Sequence, residues 1–198
     1  MSRRNLGGDV RERLLEAGLQ AFHRHGFNGC GVQEIADLAG VPKGSFYNHF
    51  ESKEALGAEV LDHYWHERAR ASLRVLSDES LSPAERLRRY FSAGAEKLAA
   101  LDYRYGCLMG NLAAELSDHS KLISDRLSCI FAGWTRALGT CVRDGQRAGE
   151  LRDDIDADTL AAFLLHAWEG ATLRARIEKD GKPLAQFMEV AFGRLLRA

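Results

Sequence analysis

Apolar residues recur at three- and four-residue steps along this chain, as they do on one face of an α-helix. Near the amino terminus the step is marked by Val10, Leu14, Ala17, Ala21 and Phe22. Only 3 prolines interrupt the 198 residues, and no segment shows the alternation of apolar and polar residues that is typical of a strand. The sequence therefore predicts an all-α fold of about nine helices, with three short helices first and six longer ones after them.

Capping residues and helix breakers place the ends of these helices. Residues 1–8, which include Arg3 and Arg4, are predicted to form a loose arm, and Asp9 is placed to cap a helix that runs to about His25. Gly26 supplies the left-handed position that ends this helix. The later helices are predicted over 32–39, 43–49, 52–76 (capped by Ser52), 83–101 (with Pro83 in its first turn), 105–117, 119–149, 156–179 and 183–197.

The overall charge does not favour a nucleic-acid partner at first sight. The chain has 27 Lys and Arg against 28 Asp and Glu, a net charge of −1. Residues 1–53 are only slightly basic, with seven basic and six acidic side chains. An average over the whole chain can hide a local basic surface, so the placement of a few basic groups matters more than their number.

Several classes of protein are not expected. The four cysteines have no metal-ligand spacing, and His63 and His66 have no convincing third ligand, so neither a metal nor a cofactor is predicted. No motif of an enzyme is present. The chain opens without an apolar leader and has no apolar run of about 20 residues, which predicts a reduced, cytoplasmic protein that does not enter a membrane.

The stretch from residue 31 to residue 53 contains two short helical segments around a Gly-Val-Pro turn at 40–42. This is the spacing of a helix-turn-helix, whose second helix lies in the major groove of DNA. Ala36 and Gly40 are the small residues that a steep helix crossing needs, and Phe46 and Phe50 are placed to face the core. The pattern alone leaves both DNA binding and a purely structural pair of helices open.

With Phe46 and Phe50 inward, the polar residues of the second segment lie on its open side. Lys43 suits guanine edges or phosphate, Asn48 can pair with adenine, and Ser45 can contact a base or a phosphate. The residues suited to the phosphate backbone (or, for the first, an outer base) are Gln33, Tyr47, His49 and Lys53.

Residues 10–56 resemble the DNA-binding half of the TetR family of one-component repressors. The similarity is nearly continuous over 35–56, and its most specific part is Gly-Val-x-Lys-Gly-Ser-x-Tyr-x-His-Phe at 40–50. The resemblance implies that a domain of residues 1–53 binds DNA and that residues 54–198 bind an effector and dimerise. It implies DNA contacts by Gln33, Lys43, Ser45, Tyr47, His49 and Lys53, with close backbone approach at Gly44, whereas Asn48 stands where the family often has an aromatic residue.

A second segment, 105–118, contains Gly-Cys-Leu-Met-Gly-Asn and is similar to a TetR subgroup that includes the N-ethylmaleimide- and acrylate-responsive repressors. Residues 168–176 extend this similarity. In electrophile-sensing members the cysteine of the motif is the reactive thiol, which implies Cys107 here. Cys107 also lies at a predicted helix start, where N–H dipoles favour the thiolate, with Arg104 nearby. The other candidates for effector contact are Asn111, Trp65 and Trp168.

Cys107 also has a plainer interpretation, because most free cysteines are small buried hydrophobes. Packing is the role predicted for Cys30, Cys129 and Cys141, with an interface role left open for the last two.

The last helices have more apolar surface than one bundle layer needs. The resemblance implies that residues of about 120–179 pair with a second subunit, which would place two recognition helices one DNA turn apart on a palindromic operator. The resulting hypothesis is a homodimeric repressor of double-stranded operator DNA that is released by a small-molecule or electrophile effector. A small-molecule-binding repressor without cysteine chemistry and a helical adaptor without DNA affinity remain as alternatives.

Overall fold

The computed structural model describes residues 6–197, and the side chains of that range except for 6–9 and 67–71. Within this range the fold is all-α and contains no strand, only an isolated bridge between Leu151 and Arg197. The helices are α1 (Leu6–His25), α2 (Val32–Leu38), α3 (Lys43–Tyr47), α4 (Lys53–His63), α5 (Arg70–Leu73), α6 (Pro83–Ala99), α7 (Leu108–Leu116), α8 (Lys121–Arg147), α9 (Ala157–Glu178) and α10 (Lys182–Val190).

The prediction of about nine helices is confirmed for the described part of the chain. Helix α4 continues through a π-helical segment (Tyr64–Ala69), α5 and a 3₁₀ turn (Arg74–Ser77), so the helix predicted over 52–76 is continuous but changes its winding. A second π-helical segment, Ala191–Leu195, extends α10. None of the described helices is both long and apolar enough to cross a bilayer.

Side-chain oxygens accept backbone N–H groups at the starts of several helices. Ser52 accepts from Ala55 at 3.0 Å, and Ser82 accepts from Glu85 at 3.4 Å immediately before Pro83. Asp156 caps α9 by accepting from the backbone of Thr159 at 2.9 Å. Each cap satisfies an N–H group that has no partner within its own helix, as the sequence predicted for Ser52.

The predicted start of the first helix is wrong. Helix α1 begins at Leu6 and passes through Gly7 and Gly8, so Asp9 is not at its cap position. A glycine costs a helix only about 1 kcal/mol, which does not stop it from continuing. Arg3 and Arg4 lie outside the described residues. The predicted end is confirmed, because Gly26 has φ +77° and its N–H bonds the carbonyl of Phe22 at 3.0 Å.

The chain divides into two compact units. The first unit consists of Met1–Arg68 with Leu108–Ser128, and the second of Ala69–Cys107 with Cys129–Ala198. In the first unit α1 packs on α2 and α4, and α2 packs on α3. The core of this unit is apolar, and its fully buried side chains include Phe22, Ile35, Phe46, Leu56 and Leu61.

The second unit is organised around the ring of Phe91 on α6. The Phe91 centroid lies 4.9 Å from that of Phe187 on α10 and 5.2 Å from that of Trp168 on α9. A Cβ atom at Gly94 would lie 2.8 Å from the Trp168 ring, so α6 and α9 approach closely there. This close approach buries Trp168 in the core.

Candidate nucleic-acid interface and sensor site

The turn between α2 and α3 is held by backbone and side-chain hydrogen bonds. Gly40 has φ +64°, and the N–H groups of Gly40 and Val41 bond the carbonyls of Asp37 and Ala36 at 3.0 Å each. Arg13 of α1 donates from Nη2 to the carbonyls of Ala39 and, at 3.0 Å, Gly40. Arg13 thereby binds the carbonyl end of α2 and ties the turn to α1.

Helix α3 has the inner and outer faces that its sequence predicts. Phe46 and Phe50 are buried, with ring centroids 5.7 Å apart. The outer face is polar, and a Cβ atom at Gly44 would meet no other atom within 4 Å, so the backbone there is open to close approach. Of the predicted contact residues, Lys43, Gly44, Tyr47 (55% exposed) and Asn48 are exposed, and Ser45 and His49 are half-buried.

Gln33 and Lys53, the other two predicted contacts, are engaged inside the first unit. Gln33 is exposed on α2 and donates to Asp37 Oδ1 at 2.8 Å. Lys53 donates from Nζ to the carbonyls of Phe27 and Cys30, at 2.7 and 2.8 Å, and lies 4.3 Å from the centre of the Phe27 ring. Lys53 thus has a structural role that the sequence analysis missed, and its phosphate contact stays a prediction.

Glu115 of α7 is a second residue that the sequence analysis missed. Its carboxylate accepts the backbone N–H groups of Phe27 at 3.2 Å and Asn28 at 2.8 Å. These N–H groups follow the left-handed Gly26, and successive N–H groups after such a residue form a concave site for an anion. Together with Lys53, Glu115 holds the loop that leads from α1 into the helix-turn-helix. No local spacing could reveal a partner 87 positions away.

The candidate sensor cysteine lies next to a half-buried acid, Glu169, whose Oε1 atom is fully buried. Cys107 is half-buried and directly precedes α7, because α7 begins at Leu108 and not at 105. The intervening turn has left-handed residues at Asp102, Tyr103 and Gly106, a backbone conformation that cannot continue a helix. The Cys107 thiol is hydrogen-bonded to the carboxyl group of Glu169 on α9, a residue to which the sequence analysis gave no role.

Burial raises the pKa of Glu169 to about 7, although the hydrogen bond with Cys107 lowers it. Trp168, the neighbour of Glu169 in sequence, is buried. It belongs to the second unit, as Cys107 does. The other two effector candidates, Trp65 and Asn111, belong to the first unit, where both are half-buried. The structure therefore brings Cys107 together with α9 through Glu169.

The remaining cysteines differ from one another. Burial raises the pKa of Cys30 to about 11 and that of Cys141 to about 12, which suits the packing role predicted for both. The packing role predicted for Cys129 is wrong within a single chain, because this residue is exposed on α8. Leu127, which is buried, lies on the opposite side of α8.

The two histidines, His63 and His66, have different surroundings among the described side chains. His63 Nε2 lies 2.8 Å from Glu16 Oε1 on α1, and His66 is exposed. In the part of the chain that the structure describes, no three His, Cys, Asp or Glu side chains are grouped as metal ligands.

Two family models match the chain, and together they cover both its helix-turn-helix and its later helices. Residues 14–60 match the model of the bacterial regulatory proteins of the tetR family, and residues 83–191 match that of the tetracyclin repressor-like C-terminal domain. The chain belongs to the TetR family. The helix-turn-helix of α2 and α3 is thus the family's DNA-binding element, and TetR proteins are regulators and not enzymes.

Relatives within the TetR family cover nearly the whole chain. The transcriptional repressor DhaR of Mycobacterium sp. strain GP1 is 44% identical over 94% of this chain and 92% of its own. The transcriptional regulator AcuR of Cereibacter sphaeroides is 37% identical over 92% of this chain and 83% of its own. The crystal structure of reduced Escherichia coli NemR is 28% identical, with a TM-score of 0.84, over 95% of this chain and 97% of that one. The chain is thus more similar to DhaR and AcuR than to NemR.

Proposed function

We propose that this TetR-family protein is a homodimeric transcriptional repressor that binds a palindromic operator and leaves it when an effector binds or when Cys107 is modified. The observation that supports the DNA-binding part of this proposal is the exposure of the outer face of α3. There, Lys43, Gly44, Tyr47 and Asn48 are all exposed, while Phe46 and Phe50 hold the helix on the core. An exposed polar face on the second helix of a helix-turn-helix is what contact with base edges and phosphates requires.

The proposed domain boundary places DNA binding in residues 1–53 and the effector and dimer functions in 54–198. The first compact unit also contains α4, α7 and the start of α8. We take these later helices as the support of the DNA-binding helices, because Lys53 and Glu115 hold the loop at 26–30 from α4 and α7.

A second copy of this chain is the proposed partner of α9. Leu160, Leu164 and Trp168 on one side of α9 are buried within the chain. The opposite side carries an exposed apolar stripe with the spacing of a single helix face, made of Phe163, Leu173 and Ile177, which are 54%, 55% and 65% exposed. A helix that is apolar on both sides needs a partner on each, and a self-complementary stripe suits a two-fold dimer.

The binding experiment uses labelled DNA from upstream of the protein's own gene and measures affinity over a range of salt concentrations. Lys43→Ala is expected to weaken binding at least tenfold and to reduce the salt dependence, because a phosphate or guanine contact is lost. Lys182→Ala is the matched control, since Lys182 is an exposed lysine at the start of α10 in the second unit. Absence of salt-dependent binding by the unmodified protein would favour the helical adaptor instead.

The two effector hypotheses differ in their dependence on Cys107. In the thiol hypothesis an electrophile modifies Cys107 in the protein without substitutions and releases it from DNA. The Cys107→Ser variant stays bound. If both proteins are released equally, the effector acts without cysteine chemistry, and Trp65, Asn111 and Trp168 remain as its proposed contacts.

A further inference from the structure

Two buried polar atoms lie one helical turn apart on α9. Oε1 of Glu169 and Oγ1 of Thr172 are both buried and make no hydrogen bond, and Thr172 is only 3% exposed. Buried polar atoms are almost always paired, so each unpaired atom calls for an explanation. Residues three apart share one side of a helix, so the two unpaired atoms form one polar place on α9 in the second unit.

The thiol of Cys107 extends this polar place. It is hydrogen-bonded to the Glu169 carboxyl group, and this bond and desolvation are the two influences on the pKa of Glu169, which burial raises to about 7. Near neutral pH the carboxyl group is therefore present in both forms. A group with this property accepts and returns protons readily, which is the requirement for a general base.

We propose that Glu169 is the proton acceptor for Cys107 when this thiol adds to an α,β-unsaturated carbonyl compound. The inference rests on the proposed function, in which modification of Cys107 releases the repressor, and assigns that reaction a second residue.

The step requires no other reactant. The carboxylate of Glu169 takes the S–H proton of Cys107 while the sulfur forms a bond to the β-carbon of the electrophile. The carbon–carbon double bond breaks, and its electron pair moves to the α-carbon and the carbonyl oxygen. Glu169 then returns the proton to the α-carbon, which leaves a thioether and a regenerated carboxylate.

The chain contains its own reference thiols. Cys30 and Cys141 are buried and their pKa values are raised to about 11 and about 12, so both are expected to react slowly. Cys129 is exposed in the single chain, and it is expected to react as an ordinary accessible thiol if it lies outside the dimer interface. The rate at Cys107 can therefore be compared with three others in one sample.

The experiment measures the alkylation of each cysteine in the full-length protein by N-ethylmaleimide at pH 7, using peptide mass spectrometry. Cys107 is expected to react at least tenfold faster than Cys129 in the unmodified protein. In the Glu169→Gln variant, the alkylation rate of Cys107 is expected to fall about tenfold or more, while the rate of Cys129 is unchanged. Glu169→Asp keeps a carboxylate and is expected to restore part of the rate.

The sign of the Glu169→Gln effect separates a base from a charged neighbour. If Glu169 acted only as a negative charge, its removal would favour the thiolate and alkylation would accelerate. The profile of rate against pH in the unmodified protein gives a second test that needs no variant. The rate at Cys107 is expected to rise near pH 7 with ionisation of Glu169, and a single rise near the ordinary thiol pKa of about 8.5 overturns the proposal.

The outcomes also separate this inference from the function on which it rests. Fast alkylation of Cys107 in both the unmodified protein and Glu169→Gln rejects the role of Glu169 and leaves thiol sensing intact. Alkylation of Cys107 no faster than that of Cys129 in the unmodified protein rejects both.

Discussion

The carboxylate of Glu115 accepts the backbone N–H of Asn28 at 2.8 Å, which links α7 to the loop that enters the helix-turn-helix. The same carboxylate binds the N–H of Phe27 at 3.2 Å. Helix α7 begins at the residue after Cys107, so Glu115 lies on the helix that directly follows the candidate sensor. If modification of Cys107 displaced α7, Glu115 would transmit that displacement to the loop that positions α2 and α3.

Replacement of Glu115 by alanine is expected to weaken operator binding and to lower the free energy of unfolding by about 1–2 kcal/mol, because two N–H groups lose a charged acceptor. Glu115→Gln keeps one acceptor oxygen and should lie between alanine and the unmodified protein. Denaturant unfolding and DNA titration measure the two effects. Glu96→Ala, at an exposed position on α6, is the control. Unchanged operator affinity in Glu115→Ala would show that the link does not position the DNA-binding helices.

Gly26 is expected to tolerate no side chain. It has φ +77°, and a Cβ atom there would collide with Oε1 of Glu115. Gly26→Ala should lower the free energy of unfolding by about 1–3 kcal/mol through backbone strain. Gly149→Ala is a useful comparison, because Gly149 has φ +69° but no atom within 4 Å of its Cβ position, so only the conformational part of the cost applies. Equal losses in the two variants would contradict a role for contact with Glu115.

Local patterns were sufficient to predict the helices and the outer face of α3. Periodicity, capping residues and the Gly-Val-Pro turn act over a few residues, and for that reason Ser52, Gly26 and Phe46 have the predicted roles. The same patterns misplaced the start of α1, because the cost of Gly7 and Gly8 is small compared with the packing of a long helix.

The side chains that connect distant parts of the sequence could not be predicted in this way. Glu115 binds a loop 87 positions away, and Glu169 lies beside Cys107 although the sequence gives no spacing rule for such a pair. Lys53 was predicted to face DNA from its place in the TetR motif, but its ammonium group also binds two carbonyls inside the first unit. Such contacts depend on tertiary packing and not on local sequence.

Replacements of Lys53 and Lys43 are expected to differ in their effect on the stability of the protein, although both lysines are predicted DNA contacts. Lys53→Met removes an ammonium group from the carbonyls of Phe27 and Cys30 and should cost about 1–3 kcal/mol of folding free energy. Lys43 is exposed, so Lys43→Ala should change the stability by less than about 0.5 kcal/mol while weakening DNA binding. Thermal unfolding of both variants, set against their operator affinities, measures the difference. A fully stable Lys53→Met protein would argue against the structural role of this lysine.

A charge within the exposed stripe of α9 is expected to prevent dimer formation. Ile177 is 65% exposed in the single chain, so Ile177→Asp should leave the fold intact but place a carboxylate in the proposed interface. Sedimentation should show a monomer, and operator affinity should fall steeply because two linked recognition helices become separate. Leu101→Asp, at an exposed apolar residue after α6, is the matched control. A dimeric Ile177→Asp protein would place the interface elsewhere.

The pKa of Glu169 predicts how its replacement changes stability with pH. Burial raises this pKa from the ordinary 4.5 to about 7, so between these values the folded protein binds a proton that the unfolded chain releases. The stability contributed by the protonated acid is present in full below pH 4.5 and is lost as the pH rises to about 7. Glu169→Gln removes this dependence. Its free energy of unfolding, relative to the unmodified protein, should therefore rise by up to about 3 kcal/mol between pH 4.5 and pH 8. Urea unfolding of both proteins at several pH values measures this difference, and a difference that stays constant with pH would mean that Glu169 is ionised normally in the folded protein.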